Sequence, residues 1–167
     1  MLSRSPARVL RLSTELAAPP DAVWRALGSP ATLVHIARPL LRFPDLEGRT
    51  SPWRPGETVR TRVLLFGVLP LGRHRLTIEV IDETRRRVQS DESSALLRSW
   101  RHLITIEPRG RGACHYTDVV EIDAGLLTPI VTTWAAGFYR WRQQRWRSLA
   151  RRHLAAPPAA PVDPAAL

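Results

Sequence analysis

The chain has no lysine and no asparagine, and Cys114 is the one cysteine among its 167 residues. A single cysteine excludes an intramolecular disulfide framework and any CxxC metal or redox motif. Long apolar runs are missing too, since nothing approaches the ~18 uninterrupted apolar residues of a membrane-spanning helix. The N-terminal stretch MLSRSPARVLRLSTEL carries arginines at 4, 8 and 11 and lacks the apolar segment of a secretory signal. These absences point to a cytoplasmic protein. No two of the five histidines share an HxH or i, i+4 spacing, and the adjacent Cys114 and His115 would face opposite ways on a strand. A Gly-rich phosphate loop, a GxSxG elbow and an HExxH helix are also absent. No metal and no cofactor are expected.

What the chain has in excess is arginine. All 25 basic residues are arginine against 15 acids, a formal charge of +10. Such a charge suits nucleic acid or an anionic membrane surface. The missing lysines also fit a GC-rich coding bias that favours Arg, Ala and Pro. Residues 1–123 hold 19 arginines and 14 acids, and residues 124–167 hold six arginines and one acid, so each part carries +5. The last six arginines interleave with Trp141 and Trp146, a pattern that can bind single strands by charge and stacking. A helix with a buried aromatic face accounts for it more simply, so nucleic acid is not the expected partner.

The length suits one domain, large enough to bury roughly 70% of its unfolded surface without covalent staples. Residues 1–8 read as a flexible N-terminus, 9–154 as the folded domain, and 155–167 (AAPPAAPVDPAAL, ending the chain) as a disordered Ala/Pro-rich tail. Val9 to Leu16 alternates, with Leu10, Leu12, Thr14 and Leu16 on one face, and predicts a half-buried strand. Pro19-Pro20-Asp21 opens a short helix that Gly28 ends, and Ser29-Pro30 opens a second that Pro39 stops. Residues 44–57 read as loop. Five strands are then predicted: Glu57 to Phe66, Arg73 to Asp82, Arg87 to Ser93, Leu97 to Glu107 and Ala113 to Asp123. In the second of these, His74, Leu76, Ile78 and Val80 share a face. A long helix is predicted from Leu127 to Leu154, with Ile130, Val131, Trp134, Phe138, Trp141 and Leu149 as its apolar stripe. Arg140, Arg147 and Arg151 fall opposite, facing solvent. Arg142, Arg145 and Arg152 fall on or beside the stripe.

That order of elements is the α+β helix-grip fold: a curved antiparallel sheet wrapped around a long C-terminal helix, with two short helices after the first strand. The segment Glu15-Leu-Ala-Ala-Pro-Pro-Asp-Ala-Val-Trp-Arg-Ala-Leu27 resembles the first-strand and first-helix signature of the polyketide cyclase/dehydrase and lipid-transport (SRPBCC) group, within the START and birch-pollen-allergen-like superfamily. Tyr116-Thr-Asp-Val-Val-Glu-Ile-Asp123 resembles that group's last strand. The resemblance spans about residues 9–153. It implies a cavity between sheet and helix that takes a hydrophobic or amphipathic small molecule, lipid-like or polyketide-like. An alternative is a cyclase or dehydratase working on a polyketide-like substrate in that cavity. A second alternative is contact with a membrane surface or nucleic acid through the Arg-rich helix.

Within that frame Trp100, His102, Tyr116, Asp118, Trp134, Phe138 and Trp141 are the expected cavity residues, and His102, Tyr116 and Asp118 the acid/base groups if the protein is an enzyme. The rival face of the last strand would instead present His115, Thr117 and Glu121. A buried Asp118 needs a partner, since an unpaired carboxylate would cost several kcal/mol or change its pKa. Arg142 and Arg145 are candidates to hold an anionic group at the cavity mouth, or else to bridge to a sheet carboxylate. The apolar hairpin Leu64 to Gly72 is either an entrance flap or membrane-touching edge led by Phe66 and Leu69, or core folded over the short helices.

Overall fold

The structure, a computed structural model, describes residues 7–155. Of the expected loose N-terminus, residues 1–8, the first six lie outside the described residues, as does the tail beyond Ala155, and Arg8 already belongs to the first strand.

Strand β1 (Arg8–Leu16) buries Thr14 and Leu16 on the face its alternation marks. Helix α1 (Pro20–Leu27) starts with proline in its first turn and Asp21 beside its positive end, and buries Val23 and Leu27. Gly28 and Ser29 connect it to α2 (Pro30–Ala37), where Ser29 holds the N-cap position without a side-chain capping bond. A two-residue strand, β2 (Leu41–Arg42), follows, and a 3₁₀ turn (Pro44–Leu46) opens the stretch 44–57 that the sequence reads as loop. Then come β3 (Thr58–Leu65), β4 (Leu69–Asp82), β5 (Arg87–Ser94), β6 (Ser99–Arg109) and β7 (Ala113–Asp123). The seven strands form one antiparallel sheet in the order β1-β7-β6-β5-β4-β3-β2. Its ends are a strand from the start of the domain and the short β2, so the curled sheet stays open.

The sheet carries two register shifts, one between Val63 and Leu64 of β3 and one between Ile78 and Val80 of β4, and the second breaks the expected alternation. Val80 is 40% exposed rather than inward with Ile78. Ile78 pairs with Ser90 and Val80 with Gln89, so Glu79 is an extra residue that turns the strand over. Such a bulge reverses the inside–outside sense of every residue beyond it.

Helix α3 (Thr128–Leu149) continues into a wider π-helical turn at Ala150–Leu154. The turn before it needs a glycine. Gly125 sits at φ +60, and a Cβ there would lie 3.1 Å from the Arg98 guanidinium. Thr128 Oγ1 locks that turn, accepting from the Ala124 N–H and donating to the Gly125 carbonyl.

The helix is rotated relative to its expected stripe. Its buried residues are Thr128, Thr132, Ala135, Phe138, Tyr139, Arg142, Gln143 and Trp146. That face is centred roughly a quarter-turn or more from the stripe of Ile130, Trp134 and Trp141. The reason is how α3 lies, against β1 and β7 at one side of the sheet. Small residues allow close approach there, while the apolar flank looks across open space toward β3–β6. Arg147, expected in solvent, donates from Nη1 to Thr14 Oγ1 at 2.9 Å.

Two apolar clusters hold this arrangement. One gathers Leu16, Val23, Ile36, Ile104, Ile106, Tyr116 and Trp146; the other gathers Phe43, Leu46, Val63, Trp100, Ile122, Phe138 and Tyr139.

Candidate functional site: a cavity with a polar inner end

A cavity of about 410 Å³ lies between the sheet and α3. Alternate residues of four strands wall it: Val63 from β3, Leu76 and Ile78 from β4, Val88 and Ser90 from β5, Trp100 and Ile104 from β6. The flank of α3 supplies Ile130, Val131, Trp134 and Phe138, the forward part of the predicted stripe. Ile130, Val131 and Trp134 are apolar because they face the cavity, while Phe138 both faces it and packs in the second cluster. Ile130 is 70% and Trp134 37% exposed, and both stand at the rim, where Trp134 stacks on Phe138 with ring centres 5.3 Å apart.

Polar groups gather at the other end. Asp118 is fully buried and takes three hydrogen bonds. His102 Nε2 lies 2.8 Å from Oδ1, Tyr116 Oη donates to Oδ1 at 3.2 Å, and Gln143 Nε2 donates to Oδ2 at 3.0 Å. Burial pushes the Asp118 carboxyl upward, but the Arg142 charge and the bonds from His102 and Gln143 outweigh it and hold it below the usual range. Burial, with Asp118 beside it, keeps the Tyr116 phenol protonated, far above its ordinary value. A second pair sits nearby on β4 and β5, with His74 Nε2 2.7 Å from Glu92 Oε2 and Ser90 Oγ donating to Oε1 at 3.2 Å. Burial also pushes Glu92 upward. The bond to His74 and the nearby charges of His74, His102 and Arg142 leave its carboxyl below the usual range.

β7 turns Cys114, Tyr116, Asp118, Val120 and Ile122 inward, so the rival set of His115, Thr117 and Glu121 is not the inner face. Trp100, His102, Trp134, Phe138 and Arg142 all line the cavity. Tyr116 and Asp118 do not; they lie behind His102 and Arg142 as buried support. Trp141 does not reach the cavity either, because its Nε1 donates to the Arg38 carbonyl at 3.1 Å beside the end of α2. Arg142 and Arg145 do not form a pair at the mouth. Arg142 is 5% exposed at the polar end, while Arg145 turns to α2, its Nη2 3.3 Å from both Nε2 and the carbonyl of His35. Three residues along a helix leave two side chains about 60° apart, and at this edge of α3 that offset is enough to put one against the cavity and the other against the neighbouring helix.

Phe66 and Leu69 are 61% and 56% exposed and do not line the cavity, although Leu65 and Leu71 of the same hairpin do. The tip is therefore not core. Phe66 and Gly67 both have positive φ, 52 and 75, in a tight turn closed by the Val68 N–H on the Leu65 carbonyl. Glycine fits such a turn and a bulky aromatic does not.

Tyr139, Trp146, His74 and Glu92 also line the cavity, beyond the residues that the sequence marks as its wall. Tyr139 accepts from Trp100 Nε1 at 3.3 Å and meets His102 edge-on at 5.1 Å. The available signals were the Ala135, Tyr139, Arg142, Trp146 spacing along one helix face and the inward position of His74 on its strand. Burial pushes the Cys114 thiol up to about 11, against the pull of the Arg86 charge, so it stays protonated and serves as strand packing. Among the described residues no group of three or more His, Cys, Asp or Glu could hold a metal ion, and no helix is long and apolar enough to cross a membrane.

Sheet, grip helix and the cavity between them define the α+β helix-grip fold, and solved structures share it. Among solved structures, the Zhui aromatase/cyclase from Streptomyces sp. R1128 superposes with a TM-score of 0.71 at 12% identity, covering 92% of this chain and 99% of that one. Truncated norcoclaurine synthase from Thalictrum flavum gives 0.65 at 15% identity, over 92% and 98%. The major latex-like protein 151 of Panax ginseng gives 0.62 at 13%, over 87% and 99%. No curated protein matches the sequence. The chain belongs to the family described as Domain of unknown function (DUF8410), which matches residues 14–153.

Proposed function

We propose that the protein binds one apolar or amphipathic small molecule in the cavity between the sheet and α3. The observation that carries this reading is the cavity itself. Protein interiors are close-packed, with few voids larger than a water molecule, whereas this one leaves about 410 Å³ walled mainly by apolar side chains. That volume falls within the range of small-molecule sites, as does the pattern of an apolar wall with a few grouped polar atoms. The fold relatives support it: a norcoclaurine synthase of this fold was solved in complex with dopamine and hydroxybenzaldehyde. Phe66 and Leu69 act as an entrance flap, the hairpin base lining the cavity and the tip standing free. The place of action is the cytoplasm, where the lone thiol of Cys114 stays reduced.

The test is titration with Nile red, a neutral apolar dye. The wild type should give a blue-shifted emission saturating near one dye per chain. Leu76→Trp, which puts an indole into the cavity, should weaken that binding about tenfold or more with little change in Tm. Unchanged dye binding in the filled variant would overturn the reading.

A second reading rests on His102. Asp118 holds its Nε2, so the ring is fixed with Nδ1 free of any protein partner among the described residues. A histidine oriented by a carboxylate is the arrangement of a general base. On that reading the protein is a cyclase or dehydratase acting on a polyketide-like substrate, with Tyr116 and Asp118 positioning His102 rather than touching substrate. Alanine at His102 would then abolish turnover and leave binding intact.

A further inference from the structure

The buried side-chain atoms of the cavity wall that lack a partner among the described residues are N–H donors. Arg142 is 5% exposed and lines the cavity, and a guanidinium carries five N–H donors and no acceptor. Among the described residues its one hydrogen bond is a long one, from Nη2 to Tyr116 Oη at 3.4 Å. Its Nε is buried without an acceptor. One turn further along α3, Trp146 also belongs to the cavity wall, and its Nε1–H is buried without an acceptor. Buried polar atoms are normally satisfied, so two orphaned donors on successive turns of one cavity wall need an explanation.

The carboxylates nearby do not supply it. No carboxylate oxygen comes within 4.0 Å of Arg142 among the described residues, the pairs at this end being His102 with Asp118 and His74 with Glu92. Both oxygens of Asp118 are already engaged, by His102, Tyr116 and Gln143, and both oxygens of Glu92 by His74 and Ser90. The guanidinium plane is set by packing, with its central carbon 5.5 Å from the centre of the Tyr139 ring. Asp118 and Glu92 keep it charged from a distance, against the opposing effect of burial. A fixed, charged, under-used fork at the end of an apolar cavity is built to receive oxygen acceptors.

We infer that the ligand is an apolar acid, whose carboxylate is held by Arg142 at the inner end while its hydrocarbon or aromatic body fills the cavity toward Trp134. This rests on the binding reading above and names the ligand's class. Charge complementarity favours the acid over an amine, because the carboxylates at this end are saturated and the guanidinium is not. The cavity has room for about fourteen waters, judged at about 30 Å³ each, which matches a ligand of similar heavy-atom count.

The experiment compares dodecanoate, dodecanol and dodecylamine by calorimetric titration at neutral pH, on the wild type and on Arg142→Gln and Arg142→Lys. A charge-assisted bond in a buried site predicts that the wild type binds dodecanoate about tenfold to a hundredfold more tightly than dodecanol. Arg142→Gln should remove that preference while dodecanol binds as before, and Arg142→Lys should restore part of it. Equal wild-type affinities for acid and alcohol, or a preference for the amine, would overturn the inference and leave the binding reading standing. That comparison needs no variant to fold. If none of the three probes binds and Nile red also fails, the binding reading falls and takes the inference with it.

Discussion

The two ends of the cavity are built on opposite terms. At the inner end Asp118, His102, Tyr116, Gln143 and Arg142 form one buried network in which each group orients the next. At the mouth Ile130 and Trp134 are exposed apolar side chains, and the Phe66–Leu69 tip, exposed as well, stands clear of the cavity lining. A buried polar network fixes geometry because any missing member leaves an unsatisfied charge or dipole. An exposed apolar rim fixes little and can move. The proposed function thus assigns the fold a rigid polar seat and a loose apolar door, the division expected of a protein that orients one end of a ligand and admits the rest.

Substitutions should separate the ends by size of effect. The largest loss is expected for Asp118→Ala, about 3–5 kcal/mol in denaturant unfolding, because His102 and Arg142 lose the carboxylate that compensates them. A loss below about 1 kcal/mol would mean that the inner end is not a coupled network. The buried carboxylates contribute to the acid limb. Asp118 and Glu92 are held below their unfolded values, so their contribution is complete above about pH 4 and is lost as pH falls through the folded values. Stability measured against pH should therefore fall below about pH 4, and Asp118→Asn should flatten that fall; a variant as acid-sensitive as the wild type would contradict it.

Smaller effects belong to the mouth. Trp134→Ala should cost about 1 kcal/mol, since the ring is partly exposed and only stacks on Phe138. Phe66→Ser with Leu69→Ser should change stability by no more than about 0.5 kcal/mol while slowing dye uptake severalfold. A large drop in Tm would make that tip part of the core. The mildest change should even be favourable: Phe66→Asn relieves a left-handed aromatic and should stabilise by up to about 1 kcal/mol, yet still slow uptake. Unchanged uptake in that variant would separate the tip from the door.

The sheet was largely legible in the sequence because its inner face follows a period of two. β7 falls at Ala113–Asp123 as its alternation predicts, and only the bulge at Glu79, which no periodicity marks, turns Val80 outward. The helix was harder. Its apolar stripe is real as far as Phe138, but it marks a cavity wall, while the closely packed face is made of Thr128, Thr132, Ala135 and polar-tipped residues that hydropathy scores poorly. A hollow interior reverses the usual rule that the most apolar face is the most buried. Trp141 was misplaced for that reason, and Tyr139 and Trp146 were passed over. Arg142 was visible only as a misfit in the helix period. Where it points depends on the rotation of α3 against β1 and β7, which is a property of the tertiary structure and not of the helix.

The central claim, that the hollow between sheet and α3 holds a small apolar molecule, is tested most directly by native mass spectrometry of the protein purified from its own host. The account predicts a one-to-one complex whose extra mass disappears on extraction with organic solvent and is absent from the Leu76→Trp variant. Unliganded protein alone, even when gently prepared and then offered Nile red in excess, would contradict it.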